Sequence, residues 1–369
     1  MAKNIGKGIP LSRVDINDEI KSNVCRVLDK GQFILGEECA NFEKEFARFI
    51  GTKYAITVAT GTAGIWLSLI AMKVKPKDEI IVPSLTAFPT IEPILYLGAK
   101  PVFADIDDTY TVDPDNVARK ITKKTVGIIP VHLYGHSAKM DEILRIAKEN
   151  KLFVLEDCCQ AHGSEFKGRK VGSMGAAGCF SFYPSKNLTV CGDGGMVVTN
   201  DKKLDGQIRL LRDHGRVSKY THGILGYNER FNEIQAAIGR VQLKNLNEYN
   251  KKRISIAHIY RKNLKGLPLI LPQEMEWSHH VFHMFVIRVK GRGRLAKELL
   301  KRGVSTGVHY PMPCHLQPAL LKIHKRVRLP FTERYCKQIL SLPIHASLSE
   351  DDAIYVCDNI KDILCRYKL

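Results

Sequence analysis

The sequence predicts an α/β protein: a large unit built on a mainly parallel sheet with helices on both faces, then a smaller C-terminal α/β unit. Three observations point there. Strand-length apolar runs alternate with helical patterns from about residue 50 to residue 245. The 369 residues exceed one ordinary core. Near residue 246 the pattern becomes charged and helical, then broken by Pro and Gly, which divides the chain into 1–245, N-terminal segment included, and 246–369.

Residues 1–36 mix short apolar pieces with turn signals and end in Gly36. A helix follows over 37–50, with Phe42, Phe46 and Phe49 at helical spacing. The run 54–59 reads as a buried strand entering the turn Thr60-Gly61-Thr62-Ala63-Gly64 and an apolar helix over 65–72. Further strands fall at 79–82, 101–103 and 126–131. A helix over 138–149 puts Met140, Ile143, Leu144 and Ala147 on one face. The strand 152–155 then ends in Glu156-Asp157, and strands at 178–183 and 195–199 follow. Ile234, Ala237, Ile238 and Val241 make the stripe of another helix. Beyond 246 come a charged helix over 247–265, a loop over 266–273, a strand over 281–289 and a helix over 294–302. A proline-broken stretch at 308–318 and helices over 332–340 and 349–364 close the chain.

The composition, 44% apolar and 25% charged, suits a soluble globular protein. No apolar run approaches the roughly 18 residues of a membrane span, and the stretch Met1 to Gly6 has no apolar export region behind it. A cytoplasmic protein is expected. The net charge of +18 invites a nucleic-acid reading. However, Lys and Arg are spread among acids, and the densest clusters, Arg292-Gly293-Arg294 and 322–328, carry no interleaved stacking aromatics. No nucleic-acid or membrane partner is expected; a basic surface also suits anionic small substrates such as nucleotides. The ten cysteines form no C-x-x-C pair, which fits reduced thiols. His279, His280 and His283 are metal-like in spacing but lack a second ligand cluster, so no metal is expected.

Three local features carry chemistry. A strand, glycine turn and helix at 60–64 aim free amides and a positive helix end at one spot, a ready phosphate site that many non-binding turns also imitate. Asp157, at a strand end, needs a cation or hydrogen-bond donors; a pyridinium nitrogen, a metal or an arginine would all serve. Lys186 lies in the aromatic run Cys179 to Asn187, where a lone lysine is ordinarily a surface residue.

In order and spacing these features resemble the fold-type-I pyridoxal-phosphate enzymes, and more narrowly the DegT/StrS-type sugar aminotransferases. The matching stretches include Thr60-Gly61-Thr62, 83–88, 156–163, 180–188, Gly192-Asp193-Gly194-Gly195, 226–230, 233–237 and 307–311. The resemblance implies a seven-stranded large-domain sheet and pyridoxal 5′-phosphate as cofactor, alternating with pyridoxamine phosphate. It implies that Lys186 forms the Schiff base and moves the proton. Asp157 would pair with the pyridine nitrogen, Gln160 would sit beside the ring and Phe88 would stack on it. Gly61, Thr62 and Ser181 would hold the phosphate, with Asn228 lent by the second subunit of a homodimer. Arg230 could be structural or could meet an anionic group. Relatives with histidine in place of the lysine are dehydratases, so Lys186 implies transamination. Cys158-Cys159 stand where the family often has alanines, a small-for-small change.

The resemblance also implies a nucleotide-linked keto sugar as acceptor, glutamate or glutamine as donor, and a role in amino sugar and polysaccharide biosynthesis. The 308–318 stretch is most similar to relatives acting at C3 of a 3-keto sugar, with His309 and Tyr310 in the sugar pocket. A 3-keto uronic acid fits that class. A 4-keto sugar nucleotide, an aminocyclitol ketone and a non-catalytic regulatory protein that binds the cofactor are the alternatives.

Overall fold

The computed structural model describes residues 8–323 and 326–367. The stretch Met1 to Gly6 and, from the basic cluster at 322–328, His324 and Lys325 lie outside the described residues.

Seven strands form the main sheet: β1 (Tyr54–Val58), β2 (Glu79–Pro83), β3 (Lys100–Ala104), β4 (Thr125–Ile128), β5 (Phe153–Asp157), β6 (Ala177–Ser181) and β7 (Gly195–Thr199). Their order is β1-β7-β6-β5-β4-β2-β3. The neighbours from β6 through β5, β4 and β2 to β3 run parallel, whereas β7 is antiparallel to both β6 and β1. Both faces are covered, as the near-continuous apolar strands require. Val197 packs with Ile56, Leu155 and Cys179 on one face, while its neighbours Met196 and Val198 join Phe42, Phe46 and Phe180 on the other. The phenylalanines predicted on the 37–50 helix do sit in this layer, Phe46 meeting Phe180 edge-on at 5.0 Å between centroids.

A second, antiparallel sheet joins Leu269–Ile270, Phe285–Val289 and Ile339–Leu342. The last of these differs from the expected helix over 332–340. Helix Pro330–Cys336 stops short, and the run Ile339–Leu342 pairs along Phe285–Val289 instead. The helix Asp18–Lys30 was not expected either; its start is set by Asn17, whose side chain accepts the Ile20 amide, and only Ile20 and Val27 are buried.

One helix, Glu233–Leu264, spans 32 residues and runs through residue 245, where the sequence changes texture. No Pro interrupts it, and its buried stripe continues through Leu246, Asn250, Arg253, Ala257 and Tyr260 while the lysines face out. Thus the charged texture marks exposure of the helix's outer face rather than an interruption of the helix. The N-terminal segment returns to the C-terminal half: Ile9 bridges Val304 and packs among Leu299, Leu342 and Ile360.

At the first residue of the long helix, Glu233 accepts the amides of Gly36, Glu38 and Cys39, and so caps helix Glu37–Ile50. Neither end of that cap can find water, because Glu233 and Cys39 are buried. Glu233→Ala therefore strands up to three donors and is expected to lower stability by about 1–3 kcal/mol, read from the urea midpoint at unchanged m.

Candidate active site

A cleft of about 400 Å³ opens at the carboxyl ends of the parallel strands, where ligands bind in open α/β sheets. Its walls come from the start of helix Gly61–Ala71, the segment after β2, the ends of β5 and β6, the loop carrying Lys186, and His309 and Tyr310 from the C-terminal half.

Thr60 caps the helix by accepting the Ala63 amide at 2.9 Å. The amides of Gly61 and Thr62 precede any intrahelical partner and remain free donors at the positive end. Close approach explains Gly61: a Cβ there would lie 2.8 Å from both the Ser181 Cβ and the Cys159 sulfur. Consequently the helix end stands directly against β6, bringing the Ser181 hydroxyl to the same wall.

Asp157 is only 4% exposed. Thr90 Oγ1 donates to its Oδ2 at 2.7 Å and the Cys159 amide to its Oδ1 at 3.0 Å. Thr86 holds Thr90 through a hydroxyl contact of 2.9 Å. Among the described residues no cationic side chain forms an ion pair with this carboxylate. Lys186 is half-buried in the cleft wall. Withdrawal from water lowers its pKa below 10.5, against the opposing pull of Cys159 and Asp157. Gln160 is fixed at both ends of its amide: its Oε1 accepts the Tyr134 amide at 3.0 Å and its Nε2 donates to the Tyr310 hydroxyl at 3.1 Å. His309 faces the same space, its Nδ1 2.9 Å from Ser341 Oγ; burial, and then the Lys186 charge, lowers its pKa.

The structure thus gathers Gly61, Thr62, Asp157, Gln160, Ser181, Lys186, His309 and Tyr310 around one cleft. Phe88 is not among the lining residues. Ala87 and Pro89 line the cleft, and Phe88 between them is half-buried and packs against the apolar core. Asn228 and Arg230 also lie outside this chain's own cleft. Asn228 is exposed and its backbone pairs with Asp213, and Arg230 donates to the Asp213 carboxylate at 3.3 Å. The sequence reading missed Thr90, which lies 67 residues from Asp157 and bears no spacing signal that could pair them. It also missed Met284 and Asp193 on the cleft wall.

The three histidines near 280 diverge. His280 stacks on Phe282 at 3.8 Å, His283 turns to Asn187 and His279 is exposed. Among the described residues, His132, Glu156 and Cys158 form the one buried group within metal-ligating distance. Its donors are already engaged: Glu156 accepts from His132 Nε2 and the amides of Gly172, Met174 and Gly175, and His132 Nδ1 accepts the Ala138 amide.

The donor set answers, group by group, a phosphorylated pyridine aldehyde. Free helix-end amides and a hydroxyl suit a phosphate. A buried carboxylate without a cation suits a protonated ring nitrogen, and an amine shifted toward neutrality suits an aldehyde carbon. The model of the DegT/DnrJ/EryC1/StrS aminotransferase family matches residues 14–361. The chain belongs to this family. Its members include a UDP-N-acetyl-3-dehydro-α-D-glucosamine 3-aminotransferase of Acidithiobacillus ferrooxidans, 40% identical over 95% of each chain. A dTDP-3-amino-3,4,6-trideoxy-α-D-glucose transaminase of Streptomyces venezuelae is 39% identical over 94% of this chain and 93% of its own. The solved structure of S. venezuelae DesV with a ketimine intermediate superposes with a TM-score of 0.94 at 38% identity, covering 96% of this chain and 98% of that one. Like these relatives the chain is an aminotransferase of fold type I, and its cofactor is pyridoxal 5′-phosphate. No helix among the described residues is long and apolar enough to cross a membrane.

Behind the cleft, His162 lies among Phe180 and Phe182, at 5.4 and 5.9 Å between centroids. Burial, assisted by the Lys186 charge, lowers its pKa to about 3. An unfolded histidine takes its proton near 6.5, so between these values the unfolded state binds more protons and stability falls as pH drops. One such group costs about 1.4 kcal/mol per pH unit. Urea midpoints measured from pH 6 to pH 4 should therefore fall less steeply for His162→Gln than for the native protein; equal slopes would contradict a neutral His162.

Proposed function

We propose that this chain moves an amino group from glutamate or glutamine to C3 of a nucleotide-linked 3-keto sugar. The observation that carries the reading is the meeting, in one cleft, of Lys186, Asp157 and the free end of helix Gly61–Ala71. The choice of carbon is supported by relatives whose names share C3 amination while their nucleotides differ, UDP in one and dTDP in the other.

When bound, the cofactor supplies an electron sink. The Gly61 and Thr62 amides and the Ser181 hydroxyl would bind its phosphate, where the helix end favours negative charge. Asp157 would hold a proton on the ring nitrogen, and Thr90 and the Cys159 amide keep that carboxylate aimed. Gln160, locked between Tyr134 and Tyr310, would orient the ring's edge. Lys186 Nζ would take the proton from the donor's α-carbon and later deliver one to the sugar carbon, a task suited to an amine shifted toward neutrality by burial. His309 and Tyr310 would bound the sugar. The exposed Tyr183 on the cleft wall would place the nucleotide near the surface, where the basic balance of the chain favours a diphosphate.

Asn228 and Arg230 would complete the cleft of a second copy, and their exposed segment includes Leu225, 93% exposed in the single chain. This reading makes the working form a homodimer. The boundary near residue 245 would then separate the cofactor unit from a C-terminal unit that carries the sugar contacts.

A screen of UDP- and dTDP-linked 3-keto and 4-keto sugars, with glutamate or glutamine as donor and products read by mass, decides the acceptor. The 3-keto compounds should be aminated, and exclusive turnover of 4-keto sugars or cyclitol ketones would overturn the C3 reading. Mixing Lys186→Ala and Asn228→Ala subunits tests the shared site. A donor lent across the interface rebuilds about a quarter of the native sites in random dimers. Activity no greater than that of the two parents, or a fully active monomer, refutes sharing.

A further inference from the structure

Lys186 itself is engaged by no hydrogen bond or ion pair among the described residues, apart from the backbone turn from its amide to the Tyr183 carbonyl at 2.9 Å. A four-carbon side chain with nothing to fix it would carry a large rotamer entropy into the reaction. The next residue is held very differently. Asn187 is 4% exposed, and its carboxamide uses both donors and its acceptor. Nδ2 donates to Asn250 Oδ1 at 2.8 Å and to the Val281 carbonyl at 3.2 Å, while Oδ1 faces His283 Nδ1 at 3.1 Å. Asn250 Nδ2 in turn donates to the His162 carbonyl at 2.8 Å.

The hydrogen positions follow from these partners. The Val281 carbonyl can only accept, so the NH₂ end of Asn187 must face it and the oxygen must face His283. His283 therefore carries its proton on Nδ1 and donates it. Asn250 is likewise fixed, its NH₂ end toward the His162 carbonyl and its oxygen toward Asn187. Every atom in this set of contacts then has a fixed role, and the groups come from four pieces of the fold: the lysine loop, the long helix, the segment after β5 and, for both Val281 and His283, the entry to the C-terminal sheet.

We infer that Asn187 is a positioning residue for Lys186, clamping the backbone from which the lysine reaches the cleft onto the long helix and the 281–283 segment, with His283 acting through Asn187 as the donor that completes the clamp. This rests on the reading of Lys186 as the group that links to the cofactor. A fixed backbone supplies effective concentration: the amine is delivered repeatedly to one place, and loosening its root should slow bond formation without touching the phosphate cup.

Two ligands separate these effects. Pyridoxal phosphate can link to a lysine amine, whereas pyridoxamine phosphate carries an amine in place of the aldehyde and can only bind. For apo Asn187→Ala, borohydride-trappable linking of added pyridoxal phosphate should be at least about tenfold slower than in the native protein. Its affinity for pyridoxamine phosphate, by calorimetry, should stay within about threefold. His283→Asn keeps an N–H near the Nδ1 position and should link at near-native rate, while His283→Leu should be slowed as Asn187→Ala is. These two variants also decide the matter should Asn187→Ala not fold. An unchanged linking rate in Asn187→Ala, a parallel loss of pyridoxamine phosphate affinity, or equal behaviour of the two His283 variants would each overturn the inference. Lys186→Ala serves as the control for the underlying reading: if it still traps the cofactor, the lysine assignment fails, whatever Asn187 does.

Discussion

A carboxylate withdrawn from water at the end of a central strand must be given donors, and much of the cleft follows from how Asp157 receives them. Its own strand supplies one, because the chain turns after β5 and brings the Cys159 amide back to Oδ1. The other comes from Thr90, on the segment after β2, two strands away in the sheet. Two donors to an ionised carboxylate leave acceptor capacity unused, and no ion pair among the described residues takes it up. An unspent buried negative charge is costly as structure alone. It becomes intelligible as one half of a pair whose other half arrives with the cofactor.

The positive side of the cleft is arranged with equal economy. Gly61 lets a helix start in contact with β6, where any side chain would meet Ser181 and Cys159. That contact sets the free amides beside a hydroxyl and within one cavity of Asp157 and Lys186. The sheet's connectivity makes this possible: β1, which precedes the helix, is separated from β6 by β7 alone. The antiparallel β7 thereby lets Gly61 and Ser181 meet across a long stretch of sequence.

The long helix couples the two halves of the molecule. Its first residue caps helix Glu37–Ile50, its middle holds Asn187 through Asn250, and its Arg253 donates to carbonyls of Phe282, His283 and Ile344 in the C-terminal half. Burial lowers the pKa of Arg253 to about 10, and His162 and His283, both near this guanidinium and Lys186, are kept neutral by burial and by these cations. A core that already holds the Arg253 guanidinium gains nothing from a further buried charge. Polar contacts rather than ion pairs therefore tie the lysine loop in place.

Much of this was legible in the residues. The alternating strand and helix patterns marked the parallel sheet because each buried strand needs an apolar run and each covering helix an apolar stripe. The glycine turn, Asp157 and Lys186 stood out because their chemistry is hard to explain otherwise, and their order resembled one family. The same local logic could not tell that the run after Cys336 forms a strand, since pairing with Phe285–Val289 decides it. Nor could it tell that Ala87 and Pro89 line the cleft, or that Thr90 and Asn250 reach Asp157 and Asn187. The sequence alone determined which groups the protein possesses and what chemistry they suit, because that depends on residue type and near neighbours. The tertiary structure decided which of them meet and which way they face, because distant segments must first pack before a donor can find its acceptor.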